Sequence, residues 1–194
     1  MKVLLTGSSG YLGSLLSDFL VARNIEVIGI DLKSPPDPLP ESHFKFYTCD
    51  ITNKDYLAII FKQEKPTHVV HFASTFNKVR NRQQEHHMDI GGSNNILDIA
   101  NATPSINQLI YSSSAAAYGG YKTNPEWIPE SQALRPGKYR YGINKNLVEQ
   151  MFSSTPVREN LRVLSLRLCT VTGRDFPDPV RMPFFRDPAK SDPL

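Results

Sequence analysis

Apolar residues follow two alternating patterns along the chain. Short continuous apolar runs, such as 3–5 and 25–30, predict buried β-strands, whereas apolar residues spaced three and four apart predict amphipathic helices. The helical spacing is clearest at Leu12, Leu15, Leu16, Phe19 and Leu20. Because the two patterns alternate throughout, we predict an α/β fold: a doubly wound parallel sheet, or Rossmann fold, with helices on both faces.

Six strands and the helices between them are predicted. The strands cover about 3–5, 25–30, 44–49, 67–72, 108–112 and 162–168, and later helices cover about 53–63, 87–102 and 141–153. Asn53 is a plausible N-terminal cap of its helix. Ser112, Ser113 and Ser114 then end the fifth strand, at the sheet edge where open α/β folds bind ligands.

A glycine-rich turn joins the first strand to the first helix. Gly7, Gly10 and Gly13 leave bare backbone, which permits a tight turn, a close approach to a pyrophosphate and close packing of helix on strand. The helix N-terminus then faces the anion. Asp31 ends the second strand, about where a carboxylate meets the adenosine ribose. These features predict dinucleotide binding, the alternative being a similar turn in another doubly wound protein.

Tyr141 and Lys145 are four residues apart on a predicted helix, so their side chains lie on one face, one turn apart. An ammonium group close to a phenol lowers its pKa from about 10. The pair can therefore act as a general acid or base. The alternative is an exposed Tyr-Lys pair on an ordinary helix, since this spacing also arises by chance.

Composition limits the class of protein. The 194 residues suit one domain, and 40% hydrophobic with 21% charged residues is ordinary globular composition. Scattered basic residues with a net charge of +3 argue against nucleic acid as a partner. Two isolated cysteines, no membrane-length apolar run and no signal-peptide pattern lead us to expect a cytoplasmic protein that binds no membrane. His86 and His87 point apart on a helix, so we expect no metal site.

Six motifs occur in one order. They are Thr6-Gly7-x-x-Gly10-x-x-Gly13, Asp31, Asp50-Ile51, His71-Phe72-Ala73-Ser74, Ser112-Ser113-Ser114-Ala115-Ala116-Ala117-Tyr118-Gly119 and Tyr141-x-x-x-Lys145. Together they resemble an extended short-chain dehydrogenase/reductase of the NAD-dependent epimerase/dehydratase family. The resemblance covers about 1–174, and the set of motifs is very specific.

The resemblance implies a cofactor and a catalytic set. The glycine turn, with Ser9, Tyr11 and Leu12, would hold the pyrophosphate, and Asp31 the ribose. Asp50 and Ile51 would lie beside adenine, and Phe72, Ala73 and Ser74 would line the cofactor. Tyr141 would transfer a proton of a sugar hydroxyl, Lys145 would orient the nicotinamide ribose, and Ser114 matches the catalytic serine or threonine. NAD is expected rather than NADP, because Asp31 would repel a 2′-phosphate, although Lys33 weakens this preference.

The implied reaction is hydride transfer from a hydroxyl of a nucleotide-sugar-like substrate to nicotinamide, with Tyr141 as base, in an epimerase or a dehydrogenase. A 3β-hydroxysteroid-type dehydrogenase is the alternative enzyme, and an NAD-binding protein with little or no turnover is the alternative outside enzymes. Ala115 and Ala116 stand where dehydratases of this family have Asp-Glu, which disfavours elimination of water. Asp89 replaces the family's Asn, and residues 170–173 also depart from its pattern.

Two segments are expected from the resemblance. Residues 1–174 would form the NAD(P)-binding domain with the catalytic Tyr and Lys. Residues 175–194, rich in proline, would begin a substrate domain that the chain mostly lacks. We therefore expect NAD binding with weak or absent turnover. Apolar surface near the sixth strand and in the loop before Tyr141 would favour self-association such as a homodimer. Trp127 is expected to pack a loop.

Overall fold

Six parallel strands form one sheet in the computed structural model, which describes residues 1–35, 37, 39–75 and 81–171. The strands are β1 (Lys2–Thr6), β2 (Glu26–Asp31), β3 (Phe44–Thr48), β4 (His68–His71), β5 (Gln108–Ser114) and β6 (Arg162–Leu168). Their order across the sheet is β3-β2-β1-β4-β5-β6. The direction of winding reverses between β1 and β4, so the crevice for a ligand in a doubly wound sheet lies at their carboxyl ends.

Five α-helices connect the strands within the described residues. They are α1 (Tyr11–Val21), α2 (Lys54–Glu64), α3 (Arg82–His86), α4 (Gly92–Ala102) and α5 (Arg140–Ser154). A π-helical turn, His87–Gly91, lies between α3 and α4, and a 3₁₀-helix, Ala115–Tyr118, follows β5. Asn53 caps α2 as predicted, its side chain accepting a hydrogen bond from the Tyr56 N–H.

Apolar clusters cover both faces of the sheet. Leu20 of α1 packs with Val3 and Leu5 on one face. On the other face, α2, α4 and α5 pack against a cluster that includes Leu4 and Leu109. Neighbouring residues of β1 therefore point to opposite cores, as expected for a strand buried on both sides. The predicted α/β fold with helices on both faces is confirmed.

The register of the strands brings their carboxyl ends level. Thr6 pairs with Ile30 of β2 and with His71 of β4. His71 in turn pairs with Tyr111 of β5. The segments that follow these strands therefore emerge side by side at one edge of the sheet.

The region predicted as one helix over 87–102 is different in the structure. Helix begins earlier, at Arg82, where the Asn81 side chain accepts hydrogen bonds from the Gln83 and Gln84 N–H groups. The π-turn then adds a residue to one turn and shifts which side chains face inward. As a result Asp89 and Ser93 are buried together with Leu97 and Ala100.

Two other expectations were wrong in detail. β5 continues to Ser114 rather than ending at 112, so Ser112 and Ser113 are buried inside the strand and only Ser114 stands at its end. Trp127 does not pack a loop, since it is 87% exposed. The predicted tail 175–194 and the departure at 172–173 lie outside the described residues.

Apolar side chains are exposed beside β6, as expected. Leu164 and Leu166 of β6 are 43% and 37% exposed, and Tyr139, directly before α5, is 46% exposed. No helix in the part of the chain that the structure describes is long and apolar enough to cross a membrane.

Candidate cofactor and catalytic site

The glycine turn connects β1 to α1 at the carboxyl edge of the sheet. The Gly7 N–H donates to the Ile30 carbonyl at 2.8 Å, and the Gly10 N–H donates to the Gly7 carbonyl at 3.1 Å. α1 begins directly after Gly10, at Tyr11 and Leu12. A Cβ on Gly13 would lie 2.0 Å from the Gly7 carbonyl oxygen, so only glycine lets α1 pack this close to the turn. The result is a loop of backbone at a helix N-terminus, the arrangement that binds phosphates.

Asp31 ties the end of β2 to this turn. Its Oδ2 accepts a hydrogen bond from the Ser9 N–H at 3.1 Å, and its Oδ1 accepts from the N–H groups of Leu32 and Lys33. Ser9 Oγ donates to the Lys33 carbonyl at 2.6 Å. A half-buried carboxylate is therefore fixed beside the glycine turn, at the position expected of the ribose ligand.

The segments after β3 and β4 reach the same edge. Asp50 Oδ1 accepts hydrogen bonds from the Thr52 N–H and hydroxyl, both at 2.8 Å, while Ile51 is buried. The N–H groups of Phe72 and Ala73 donate to the Thr6 carbonyl and hydroxyl. Ser74 follows. The structure thus brings every predicted cofactor residue of the first four strands to one edge.

A buried histidine links these segments through a directed set of hydrogen bonds. Ser93 Oγ donates to the Asp89 carbonyl at 2.5 Å, so it must accept from His71 Nε2–H, which is 2.9 Å away. His71 Nδ1 is then the acceptor for the Thr6 hydroxyl at 2.6 Å. Burial, and to a lesser degree the charge of Lys145, lowers the pKa of His71 from 6.5 to about 3. The imidazole is therefore neutral, and it fixes β1 and β4 to the π-turn.

The predicted Tyr141–Lys145 pair lies on α5, next to the end of β5. Lys145 is 3% exposed, and its Nζ donates to the Ser112 carbonyl at 2.6 Å. Nζ is 4.7 Å from the ring centroid of Tyr111 and 5.4 Å from that of Tyr141. Burial lowers the pKa of Lys145 to about 8, against the opposing charges of Asp89 and Glu149. The pair is thus a buried cation beside a phenol, and an ordinary exposed pair is excluded.

Close packing brings Ser114 to the same place. A Cβ on Gly142 would lie 2.5 Å from the Ala116 carbonyl oxygen, so glycine at this position lets α5 rest on the 3₁₀-helix that begins after Ser114. Ser114 Oγ caps that helix by accepting from the Ala116 N–H at 3.2 Å. The hydroxyl proton of Ser114 is left to donate to another group.

Sequence reasoning missed an ion pair that supports α5. Glu149 is buried one turn beyond Lys145 and accepts hydrogen bonds from the Ser113 hydroxyl and, through both oxygens, from Arg167 of β6. Arg167 also donates to the Tyr118 hydroxyl at 2.6 Å, and these contacts raise its pKa. The spacing of Tyr141, Lys145 and Glu149 by four residues was the available signal, because it places three polar residues on one helix face.

The assembled edge combines an anion-binding turn, a carboxylate, a phenol and a buried ammonium group. Such a set can hold a dinucleotide and move a proton at a neighbouring hydroxyl. Within the described residues no group of three His, Cys, Asp or Glu side chains could hold a metal ion.

Comparison with known proteins gives one family. A model described as the NAD dependent epimerase/dehydratase family matches residues 3–184. The UDP-glucose 4-epimerase of Yersinia enterocolitica is 31% identical over 167 residues, covering 78% of this chain and 47% of that protein. That of Mycoplasma genitalium is 26% identical over 188 residues, covering 91% and 54%. The chain therefore spans about half the length of the curated relatives it matches.

Solved structures of the same kind share the fold. The Bordetella bronchiseptica enzyme WbmG, in complex with NAD and UDP, has a TM-score of 0.77 at 28% identity over 89% of this chain and 54% of its own. The UDP-glucose 4-epimerase of Thermotoga maritima, with UDP-glucose, has a TM-score of 0.72 at 29% identity, over 86% and 55%. That of Thermus thermophilus, in complex with NAD, has a TM-score of 0.74 at 27% identity, over 86% and 54%.

The packing at Gly13 predicts a large effect of a single methyl group. Gly13→Ala forces α1 away from the turn, so the free energy of unfolding should fall by about 1–3 kcal/mol or more, and dinucleotide affinity should fall with it. Gly120→Ala is the matched control, because a Cβ there meets nothing within 4 Å. Urea unfolding and titration with NAD measure both effects. A Gly13→Ala protein with the same free energy of unfolding and the same NAD affinity as the control would contradict the close packing of α1 on the turn.

The neutral His71 predicts a specific acid sensitivity. Below its ordinary pKa of 6.5 the unfolded chain gains a proton at this residue, while the folded chain stays neutral down to about 3. The free energy of unfolding should therefore fall as the pH drops through this window. His71→Gln removes the titrating group. Over the same pH range the free energy of unfolding of this variant should therefore fall by several kcal/mol less than that of the wild-type chain. Urea unfolding at a series of pH values tests this, with His68→Gln on the same strand expected to keep the wild-type dependence.

Proposed function

The chain belongs to the NAD dependent epimerase/dehydratase family, and we propose that it binds NAD at the carboxyl edge of its sheet and acts on a hydroxyl of a nucleotide sugar. The observation that carries this proposal is the Tyr141–Lys145 pair, with its ammonium group buried beneath the edge that also holds the glycine turn. A buried, charged lysine is costly to maintain unless its charge is used or compensated, and here it lies 5.4 Å from the tyrosine ring.

The residues present fit a dinucleotide. The glycine turn, which contains Ser9, offers backbone N–H groups to the pyrophosphate, and so does the N-terminus of α1 at Tyr11 and Leu12. Asp31 would accept hydrogen bonds from the adenosine ribose. Asp50 and Ile51 would flank adenine, and Phe72, Ala73 and Ser74 would line the cofactor. The NAD in the WbmG and Thermus structures supports this choice.

Residues of the chain itself would take the proton from the substrate hydroxyl. Bound NAD supplies the hydride acceptor. The Lys145 ammonium stabilises the phenolate form of Tyr141, which takes the proton from the substrate hydroxyl at its Oη. Ser114, whose oxygen already accepts from the Ala116 N–H, would donate its hydroxyl proton to a substrate oxygen and hold it against Tyr141. Lys145 would also hydrogen-bond the nicotinamide ribose.

Similarity supports a nucleotide sugar as the substrate. The curated relatives named above are UDP-glucose 4-epimerases, and the solved structures include one with UDP and one with UDP-glucose. They support this class of substrate over a hydroxysteroid. Return of the hydride to the opposite face of the sugar would make the reaction an epimerisation, and release of the ketone would make it a dehydrogenation.

The same proposal assigns different roles to two segments of the chain. Residues 1–174 would form the cofactor domain with the catalytic pair, and 175–194 would begin the substrate domain. The exposed Leu164 and Leu166 of β6 support a surface that a further domain or a second copy in a homodimer would cover.

Cofactor preference follows from Asp31. We expect NAD to bind at least about tenfold more tightly than NADP, because a 2′-phosphate would lie against a fixed carboxylate. Isothermal titration of the purified chain with each cofactor measures the ratio. Asp31→Asn, which keeps the shape and removes the charge, should reduce the ratio. Tighter binding of NADP than of NAD to the wild-type chain would refute the assignment.

The base is tested by Tyr141→Phe. Removing the phenolic oxygen should slow reduction of NAD by a UDP-sugar by about 10²–10⁴-fold while leaving NAD affinity nearly unchanged. Absorbance of the reduced nicotinamide under single-turnover conditions measures the step without product release. Lys145→Met should damage both affinity and rate, and Tyr139→Phe, on the neighbouring exposed tyrosine, is the control. A Tyr141→Phe rate equal to wild type would rule out Tyr141 as the base.

A further inference from the structure

A buried carboxylate in the π-turn binds two segments of the site together. Asp89 is 7% exposed. Its Oδ1 accepts from the Thr75 N–H at 2.9 Å and the Ser74 hydroxyl at 3.4 Å, and its Oδ2 accepts from the Thr75 hydroxyl and from Asn144 Nδ2, both at 3.0 Å. A carboxylate has about four acceptor positions, so Asp89 uses all of them. It thereby joins the segment after β4 to α5.

Asn144 extends this contact to a second carboxylate. Its amide nitrogen donates to Asp89 Oδ2 and to Glu85 Oε1, each at 3.0 Å. Both partners are carboxylates, which only accept, so the side-chain amide has one possible orientation. Glu85 is neutralised by an ion pair with Arg140, at 2.5 Å between Oε2 and Nη2. These contacts therefore hold α3 and the π-turn against α5 at Asn144, the residue directly before Lys145.

The charge of Asp89 differs from those of Glu85 and Glu149, the buried carboxylates that contact α5 or lie on it. Glu85 is paired with Arg140, and Glu149 with Arg167. The four donors on Asp89 are all uncharged, so its negative charge is not cancelled by them. Among the causes that raise the pKa of Lys145 against burial, the charge of Asp89 comes first and that of Glu149 second.

The surroundings of Lys145 contain several other titratable or charged groups. They are His71 on β4, Tyr111 on β5, Glu85 on α3, Arg167 on β6, and Arg140, Tyr141 and Glu149 on α5. His71 is neutral, and the pKa of the buried Tyr111 is raised well above 10, so neither changes charge near neutral pH. The balance at Lys145 therefore depends on the two carboxylates Asp89 and Glu149.

We propose that Asp89 is a positioning residue: its buried carboxylate, hydrogen-bonded to Thr75 and to Asn144 directly before Lys145 in the chain, fixes the cofactor-lining segment 74–75 against α5 and places a negative charge without a cationic partner near the Lys145 ammonium group. Only one part of this inference rests on the proposed function, namely that a charged Lys145 holds the nicotinamide ribose of bound NAD. An asparagine at position 89 could not replace it. In either orientation its amide NH2 group would face an N–H donor, that of Thr75 or that of Asn144, and the charge would be gone.

The decisive experiment measures the ionisation of Lys145 directly. Isotope-labelled lysine gives one NMR signal per side chain, and Lys145→Met identifies the signal of Lys145 by its disappearance. We expect a pKa of about 8 in the wild-type chain and a value lower by about 1 unit in Asp89→Asn, as for loss of a nearby opposite charge. Glu85→Gln is the matched control. It removes another carboxylate bound to Asn144 and should move the pKa much less.

Measurements of NAD binding then distinguish the effect of the Asp89 charge from the effect of its hydrogen bonds. Relative to wild type, Asp89→Asn should lose affinity for NAD more strongly at about pH 8.5 than at about pH 6, by up to about tenfold, because only at the higher pH do the two proteins differ in the charge of Lys145. Thr75→Val removes one hydrogen bond and keeps the carboxylate. It should weaken NAD binding by a similar factor at both pH values and leave the pKa of Lys145 in place.

Three results would overturn the inference. They are an unchanged pKa of Lys145 in a folded Asp89→Asn protein, an equal shift in Glu85→Gln, and unchanged NAD binding in Thr75→Val. If Asp89→Asn does not fold, the wild-type chain and Lys145→Met are compared instead. The Asp89 carboxyl signal should then shift as Lys145 titrates and stay still in Lys145→Met, and no difference between the two would overturn the coupling. If the wild-type chain fails to bind NAD, the proposed function fails while the NMR result still judges Asp89.

Discussion

The ammonium group of Lys145 is the constraint around which the site is built. It is 3% exposed, and its one carbonyl acceptor, Ser112, lies 2.6 Å away on the last part of β5. An isolated buried charge is strongly unfavourable, and proteins either neutralise it or surround it with compensating groups. Here the pKa of Lys145 falls only to about 8, so the group is still mostly charged at neutral pH. The neighbours that prevent a further fall are therefore as necessary to the site as the lysine itself.

Two carboxylates supply this compensation by different arrangements. Glu149 accepts hydrogen bonds from Nε and Nη2 of the Arg167 guanidinium, which ties α5 to β6 and leaves a nearly neutral pair. Asp89 is held by hydroxyl, amide and backbone donors alone. The first arrangement mainly fixes geometry. The second also leaves a net charge, so the local electrostatics depend more on Asp89 than on the stronger-looking ion pair.

Local patterns explain which features could be predicted from sequence. The glycine turn, Asp31, the six strands and the Tyr141–Lys145 pair each follow from residue spacing within one or two elements, and the structure has them nearly where they were expected. The π-turn at His87–Gly91 could not be foreseen, because it is stabilised by contacts from β4 and α5. For the same reason the partners of Asp89 and Glu149, which are distant in sequence, were not identified. The sequence marked Asp89 as unusual but gave no reason for the difference.

The carboxyl edge of the sheet rests on side chains that are buried and hydrogen-bonded to one another. Thr6, His71, Ser93 and Asp89 form one connected set of hydrogen bonds beneath the edge, so the groups that would meet NAD are fixed before any ligand arrives. In the loop before α5, by contrast, Tyr139 is 46% exposed and Trp127 is 87% exposed. Preorganisation lowers the entropic cost of binding. The connected hydrogen bonds beneath the edge therefore reduce the entropic cost of binding a ligand at this edge.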